Sequence, residues 1–379
     1  MKSKVKAVTL VKKGQLEITE YPVCLENDEI IVKIVHAGIC GTDWHIVGKE
    51  RLDLNYPVIL GHENVGTIAQ LPHSKIKDAQ NNPLKEGDLV VWAPRYEVCG
   101  DCWYCKWLPS THGFSLCQKG KSHGFVTSKE PPHLLGGWAY YSILPKGTWI
   151  YKVPENVNAK VAVLVDPLAS VTGVERAASI HSNWLNEGLY LGSTVVVQGS
   201  GVIGYLAAVK AQVLGAGKVI MIGGPEHRLK EAKDHFGVNE IINIENHSHT
   251  QRLEKVKEIT DGVGADVVVE CAGVPEAFVE AMELVRRGGV VVELGNFTLT
   301  GSIEINPSKH ICRNDITIIG QFGYVPQQFR KDLALLERWS KIYPFERLVT
   351  HQFPLEKFEE ALECVGSQQS IKAVFSPDM

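Results

Sequence analysis

Thr194-Val-Val-Val-Gln198, followed by Gly199-Ser-Gly201-Val202-Ile203-Gly204 and an alanine- and leucine-rich run to about Gly215, is the stretch on which the fold turns. An apolar β-branched run, a glycine turn and a helical pattern read as strand, turn and helix. The three glycines match G-x-G-x-x-G, a triplet that plain turns also contain. Placed between a strand and a helix, it lets backbone approach a pyrophosphate at a helix N-terminus. Gly199, Gly201, Val202, Ile203 and Gly204 are therefore expected to bind a dinucleotide.

The pattern then repeats. Val219 to Ile222, Glu240 to Asn243, Ala265 to Val269 and Gly289 to Leu294 are short, nearly continuous apolar strands spaced by helical stretches. Such strands suit a parallel sheet covered on both faces, so this block is expected to be α/β and doubly wound. Before it, from Lys4 to about Pro154, strands such as Glu29 to Val35 and Asp88 to Trp92 are broken by Gly, Pro and Asn, which predicts a compact β-rich domain. After it, a helix near Gln328 to Ile342 precedes Ile371 to Phe375, a strand expected to join the first domain. The expected boundaries are 1–165 with 307–379 for the β-rich domain and 166–306 for the dinucleotide domain.

An acidic residue ordinarily ends the second strand of a dinucleotide fold and grips the adenosine ribose. Here the strand ends in Gly223-Gly224-Pro-Glu226-His227-Arg228. Gly223 removes the charge that excludes a 2′-phosphate, and Arg228 or His227 supplies a cation, which suits NADP. Alternatively Glu226 or backbone groups hold the ribose of NAD and Arg228 is an ordinary surface residue. Both cofactors stay open at this point.

With 379 residues the chain has room for two domains, and its net charge of −4 recruits neither nucleic acid nor anionic lipid. No apolar run reaches the ~18 residues a membrane span needs, and Met1 to Lys13 alternates lysines with apolar residues, so the expected location is the cytoplasm. Of nine cysteines, Cys99, Cys102, Cys105 and Cys117 crowd together. Four thiolates on one loop suit a closed tetrahedral zinc site. An iron–sulfur cluster is the rival, but the fourth cysteine and its following proline are missing at the short spacing.

A second constellation mixes ligand types: Cys40-Gly-Thr42-Asp43-Trp-His45, then Gly61-His62-Glu63. Separated, mixed ligands fit an open catalytic metal site with a position left for substrate. Singly, Cys40 would be a small buried residue and His62 a hydrogen-bonded core histidine. Together they point to metal.

With these motifs in this order over nearly its whole length, the chain resembles the zinc-containing medium-chain alcohol and polyol dehydrogenases. The resemblance implies a GroES-like catalytic domain, an inserted Rossmann domain and a C-terminal return to the first. It implies a catalytic zinc on Cys40 and His62, with Glu63 coordinating or waiting close by. Asp166 stands where relatives place the remaining ligand, directly or through water. Asp43 would orient His62, and the four-cysteine lobe would hold a structural zinc, giving two zinc ions per chain. Thr42 and His45 match the family's proton relay, and Lys372 matches a basic contact to the cofactor pyrophosphate.

The implied reaction moves a hydride between an alcohol or polyol and NAD or NADP. The loop Gly48-Lys49-Glu50-Arg51 offers a cation near the substrate, or is only a solvated face. Trp92, Trp138 and Tyr140 are candidates for the pocket wall or for core packing. Rival readings are a zinc-binding scaffold without turnover and a zinc-free quinone reductase of the same superfamily. A homodimer or homotetramer is expected, joined through the Rossmann sheet edge around Phe297 to Asn306.

Overall fold

A computed structural model describes residues 4–23, 28–48, 54–72, 75–108, 115–180 and 186–379. The chain forms two compact units, residues 1–169 with 323–379 and residues 170–322.

The first unit is β-rich. Its larger sheet runs in the order Ile150–Lys152, Leu89–Trp92, Asn64–Gln70, Ile30–Ile39, Lys372–Phe375, Val349–Phe353, and Tyr141–Leu144 also pairs with Ile30–Ile39. The C-terminal strand joins antiparallel, with Ala373 opposite Ile39 and Phe375 opposite Ala37. A smaller sheet orders Gln15–Pro22, Lys4–Lys12 and Val58–Ile59. Between them lies a core that includes Val8, Leu10, Val32, Trp92, Trp138 and Phe375, all 0% exposed. Trp92 and Trp138 are thus core residues, while half-buried Tyr140 donates to Glu356 Oε1 at 3.3 Å. Lys49, Glu50 and Arg51 lie outside the described residues.

The second unit holds a six-stranded, wholly parallel sheet. Its order is Glu240–Asn243, Lys218–Gly223, Thr194–Gln198, Ala265–Glu270, Val285–Glu293, Thr317–Gly320. In sequence rank this is 3-2-1-4-5-6, the doubly wound order, whose reversal lies between the strands ending at Gln198 and Glu270. Val195, Val196 and Val197 are each 0% exposed. Burial of both faces explains their unbroken apolar run, and each such side chain contributes about 1.5–3 kcal/mol of apolar transfer. The sixth strand, Thr317–Gly320, comes from the stretch that sequence analysis gave to the first domain. With only Ile319 buried among its four residues, the strand carries a weak pattern.

Candidate active site and metal centres

The mixed-ligand constellation is built at a strand end and a helix start. Cys40 ends the turn after Ile30–Ile39, and Gly41–Gly48 forms a helix. Asp43, 0% exposed, reaches back from that helix: its Oδ2 accepts from Cys40 N at 2.9 Å, and its Oδ1 lies 3.5 Å from His62 Nδ1. Nε2 of His62 is thereby left for a metal. Gly61 has φ +92, and a Cβ there would meet Trp138 Cδ1 at 2.4 Å, so only glycine lets the chain place His62 over the core.

Among the described residues, donor atoms of Cys40, His62 and Glu63 gather within 4.8 Å of one another. A thiolate, an imidazole and a carboxylate suit zinc. Burial opposes charge on His62, but Asp43 and Cys40 outweigh it and hold the pKa well above its ordinary value, so the pocket favours a cation. The donor set fits the metal.

Two expected contacts are placed differently. Asp166, 4% exposed, falls outside that three-residue group; Tyr324 O–H donates to its Oδ2, and burial lifts its carboxyl to about 7. Lys372, expected at the pyrophosphate, is 2% exposed, with Nζ paired to Glu63 Oε2 and donating to Ile39 O at 3.1 Å. An ammonium buried this deeply needs a carboxylate partner, and Glu63 is that partner. Gly38 makes room: a Cβ there would lie 2.0 Å from Glu63 Oε2.

Thr42 and His45, both half-buried, stand three residues apart on the Gly41–Gly48 helix, a spacing that puts them on one face.

Cys99, Cys102, Cys105 and Cys117 also gather within 4.8 Å. Cys102 and Cys105 sulfurs are 3.5 Å apart and those of Cys99 and Cys117 3.6 Å. Tetrahedral zinc with Zn–S of about 2.3 Å separates its sulfurs by about 3.8 Å, so four free thiols are already close to their bound spacing. Cys99 N and Cys102 N donate to the Cys117 and Cys99 sulfurs, each at 3.3 Å.

In the second unit the three glycines have separate jobs. Gly199 has φ +104 and passes so near Cys271 that a Cβ would lie 2.9 Å from its carbonyl carbon. Gly204 packs helix on strand, since a Cβ would lie 1.9 Å from Gly199 O. Gly201 caps the helix Val202–Val213 and has open space where its Cβ would be, leaving room for a ligand at Val202 and Ile203. Gly223 is packed, not open: a Cβ would meet Ser200 Oγ at 2.7 Å. Arg228 is only 8% exposed, which does not fit the alternative of an ordinary surface residue, while His227 is exposed. Glu226 Oε2 accepts from Asn243 Nδ2 at 2.9 Å.

Sequence reasoning missed Tyr324, Gly38 and the Glu63–Lys372 pair. These partners lie 158 and 309 residues from the groups they hold, so no local spacing signals them.

Known proteins with a similar sequence and fold are zinc-type dehydrogenases. A family model for the alcohol dehydrogenase GroES-like domain matches residues 26–155, and one for zinc-binding dehydrogenase matches residues 202–338. A 5-exo-hydroxycamphor dehydrogenase of Pseudomonas putida is 30% identical over 97% of this chain and 98% of its own. A sorbitol dehydrogenase of Bacillus subtilis is 31% identical over 94% and 92%. The crystal structure of an alcohol dehydrogenase from Thermotoga maritima superposes with a TM-score of 0.88 at 29% identity, covering 98% of this chain and 99% of that one. No helix among the described residues is long and apolar enough to cross a membrane.

Proposed function

Because the chain belongs to the zinc-containing medium-chain dehydrogenase family, we propose that this oxidoreductase converts a secondary alcohol or polyol to the matching carbonyl with NAD or NADP. The observation that carries this reading is the gathering of Cys40, His62 and Glu63 with one buried carboxylate, Asp43, behind two of them. The names of the relatives, sorbitol and 5-exo-hydroxycamphor dehydrogenases, support the substrate class.

Zinc on this donor set supplies a Lewis acid that lowers the pKa of a substrate hydroxyl, and the nicotinamide supplies the hydride acceptor. The chain's own residues do the rest. Asp43 fixes the His62 ring and strengthens its basicity. Thr42 takes the hydroxyl proton through its own O–H, and His45, whose imidazole can both accept and donate a proton, hands it toward solvent. Lys372 holds Glu63 beside the metal ligands, and Tyr324 holds Asp166 near them. Gly199, Gly201, Val202, Ile203 and Gly204 take the pyrophosphate, with Gly223 and Arg228 at the ribose end. Cys99, Cys102, Cys105 and Cys117 hold the second, structural zinc. Two metal-ready donor sets argue against the zinc-free quinone reductase reading.

The experiment is a panel of polyols, sugars and simple alcohols, assayed with NAD and with NADP by absorbance of the reduced cofactor. Turnover of polyols or secondary alcohols supports the reading, and activity confined to quinones overturns it. We further propose that copies pair through the exposed edge strand Thr317–Gly320, flanked by the exposed, stacked rings of Phe297 and Phe322. Light scattering that finds a monomer overturns this.

A further inference from the structure

Glu270 and Glu293 end adjacent parallel strands and are register partners. Glu270 is 0% exposed. Its Oε1 accepts from Ala272 N at 2.6 Å and Gly273 N at 3.0 Å, and its Oε2 from Asn296 Nδ2 at 3.4 Å. Glu293 Oε1 accepts from Asn296 N at 3.0 Å and Nδ2 at 3.1 Å, whereas its buried Oε2 has no hydrogen-bond partner. Two carboxylates this close do not both ionise readily. Both carboxylates accept from the same Asn296 amide group, so a proton on Glu270 would set a donor beside Glu293, whose Oε2 has no other partner. Burial, with Glu293 alongside, pushes Glu270 up to about 8.

The neighbours do not neutralise the pair directly. On the strand beside Glu270, Gln198 is the register partner; its Nε2 donates to Glu280, which is itself paired to Arg252. On the strand beside Glu293 the partner is Gly320, and the next residue, Gln321, accepts from Arg176 at Oε1. Cys271 is half-buried, and desolvation with the two carboxylates pushes its thiol well up.

The location gives the pair a role. Cys271 lies against Gly199 of the dinucleotide loop, at the reversal of strand order. A dinucleotide spanning that reversal places its adenosine half toward Gly223, so its nicotinamide half falls over the ends of Ala265–Glu270 and Val285–Glu293. The oxidised ring is cationic and the reduced ring neutral. We propose that Glu270 and Glu293 share one proton beside the nicotinamide and set the preference between oxidised and reduced cofactor. Loss of that proton adds a negative charge and favours the oxidised ring further. This rests on the reading of the chain as a nicotinamide-dependent dehydrogenase.

The test is the ratio of Kd for reduced to oxidised cofactor, measured by fluorescence titration and competition from pH 7 to 9.5 on the zinc-loaded protein. The ratio is expected to rise about tenfold in the wild type, the equivalent of one pKa unit. In Glu293→Gln, and in Glu270→Gln, the amide donates to the remaining carboxylate in place of the shared proton, and the rise disappears. Two variants guard against one misfolding, with circular dichroism as the check. A flat wild-type ratio, or an unchanged rise in folded variants, overturns the proposal alone. Failure of the wild type to bind any nicotinamide nucleotide overturns the dehydrogenase reading and this proposal together.

Discussion

Asp43 Oδ1 lies 3.5 Å from Nδ1 of His62, while the other oxygen of the same carboxylate accepts from Cys40 N. One fully buried side chain therefore faces two of the three gathered donor residues. Asp43→Asn keeps the shape but weakens the pull on the His62 ring proton. Zinc affinity at this site is expected to fall about 10- to 100-fold, as for other residues that orient ligating histidines. Competition with a chromophoric chelator reads this, and an unchanged affinity refutes the role.

The four-cysteine lobe should release its metal as acid is added. Backbone N–H groups of Gln118 and Cys105 donate to Cys102 and hold its thiol down at about 6. A depressed pKa means that thiolate stabilisation is present above the ordinary thiol range and is lost as pH falls through the folded value. Chelator-driven zinc release from a Cys40→Ala variant, which isolates the lobe, is expected to accelerate below about pH 6. A release rate independent of pH there contradicts the assignment.

Gly223 is a packing position as much as a cofactor position. Gly223→Asp would drive a Cβ to within 2.7 Å of Ser200 Oγ. Binding of both NAD and NADP is expected to weaken about tenfold, in the range of overpacking costs. Ser200→Gly in the same chain should recover part of the loss. If Gly223→Asp simply exchanges one cofactor for the other at full affinity, the clash is not felt.

Why some of this was readable in the sequence and some was not follows from distance along the chain. The glycine loop, the apolar parallel strands and the two ligand clusters are local patterns whose spacing is set by backbone geometry; the strands form one parallel sheet, and each cluster gathers its own donor atoms within 4.8 Å. The strand Thr317–Gly320 alternates weakly because one face is exposed at the sheet edge. Lys372 was expected at the cofactor pyrophosphate because nothing near it in sequence reveals the carboxylate it meets. The burial of Arg228 was not legible because its helix, Glu226–His235, is otherwise rich in charge. Asp166 lies outside the Cys40, His62 and Glu63 group, and its tyrosine partner comes from 158 residues along the chain.

Stability of the second unit should carry the signature of Glu270. Its carboxyl is raised from 4.5 to about 8, so the folded chain keeps a proton that the unfolded chain loses. For a raised pKa the stabilisation is complete below the unfolded value and is lost as pH rises through the folded one. The thermal midpoint of the wild type relative to Glu270→Gln is expected to fall steadily between about pH 5 and 8. A constant difference across that range shows that no proton is retained.

The central claim, that Cys40 and His62 anchor a zinc that serves hydride transfer, is tested most directly by one paired measurement. Metal content and alcohol-dependent cofactor reduction are compared in the wild type, Cys40→Ala and His62→Ala. The wild type is expected to hold about two zinc ions and to reduce the cofactor; each variant should stay folded, keep about one zinc in the cysteine lobe and lose turnover. A folded His62→Ala protein that retains normal rates, or a wild type that binds no zinc, contradicts the account.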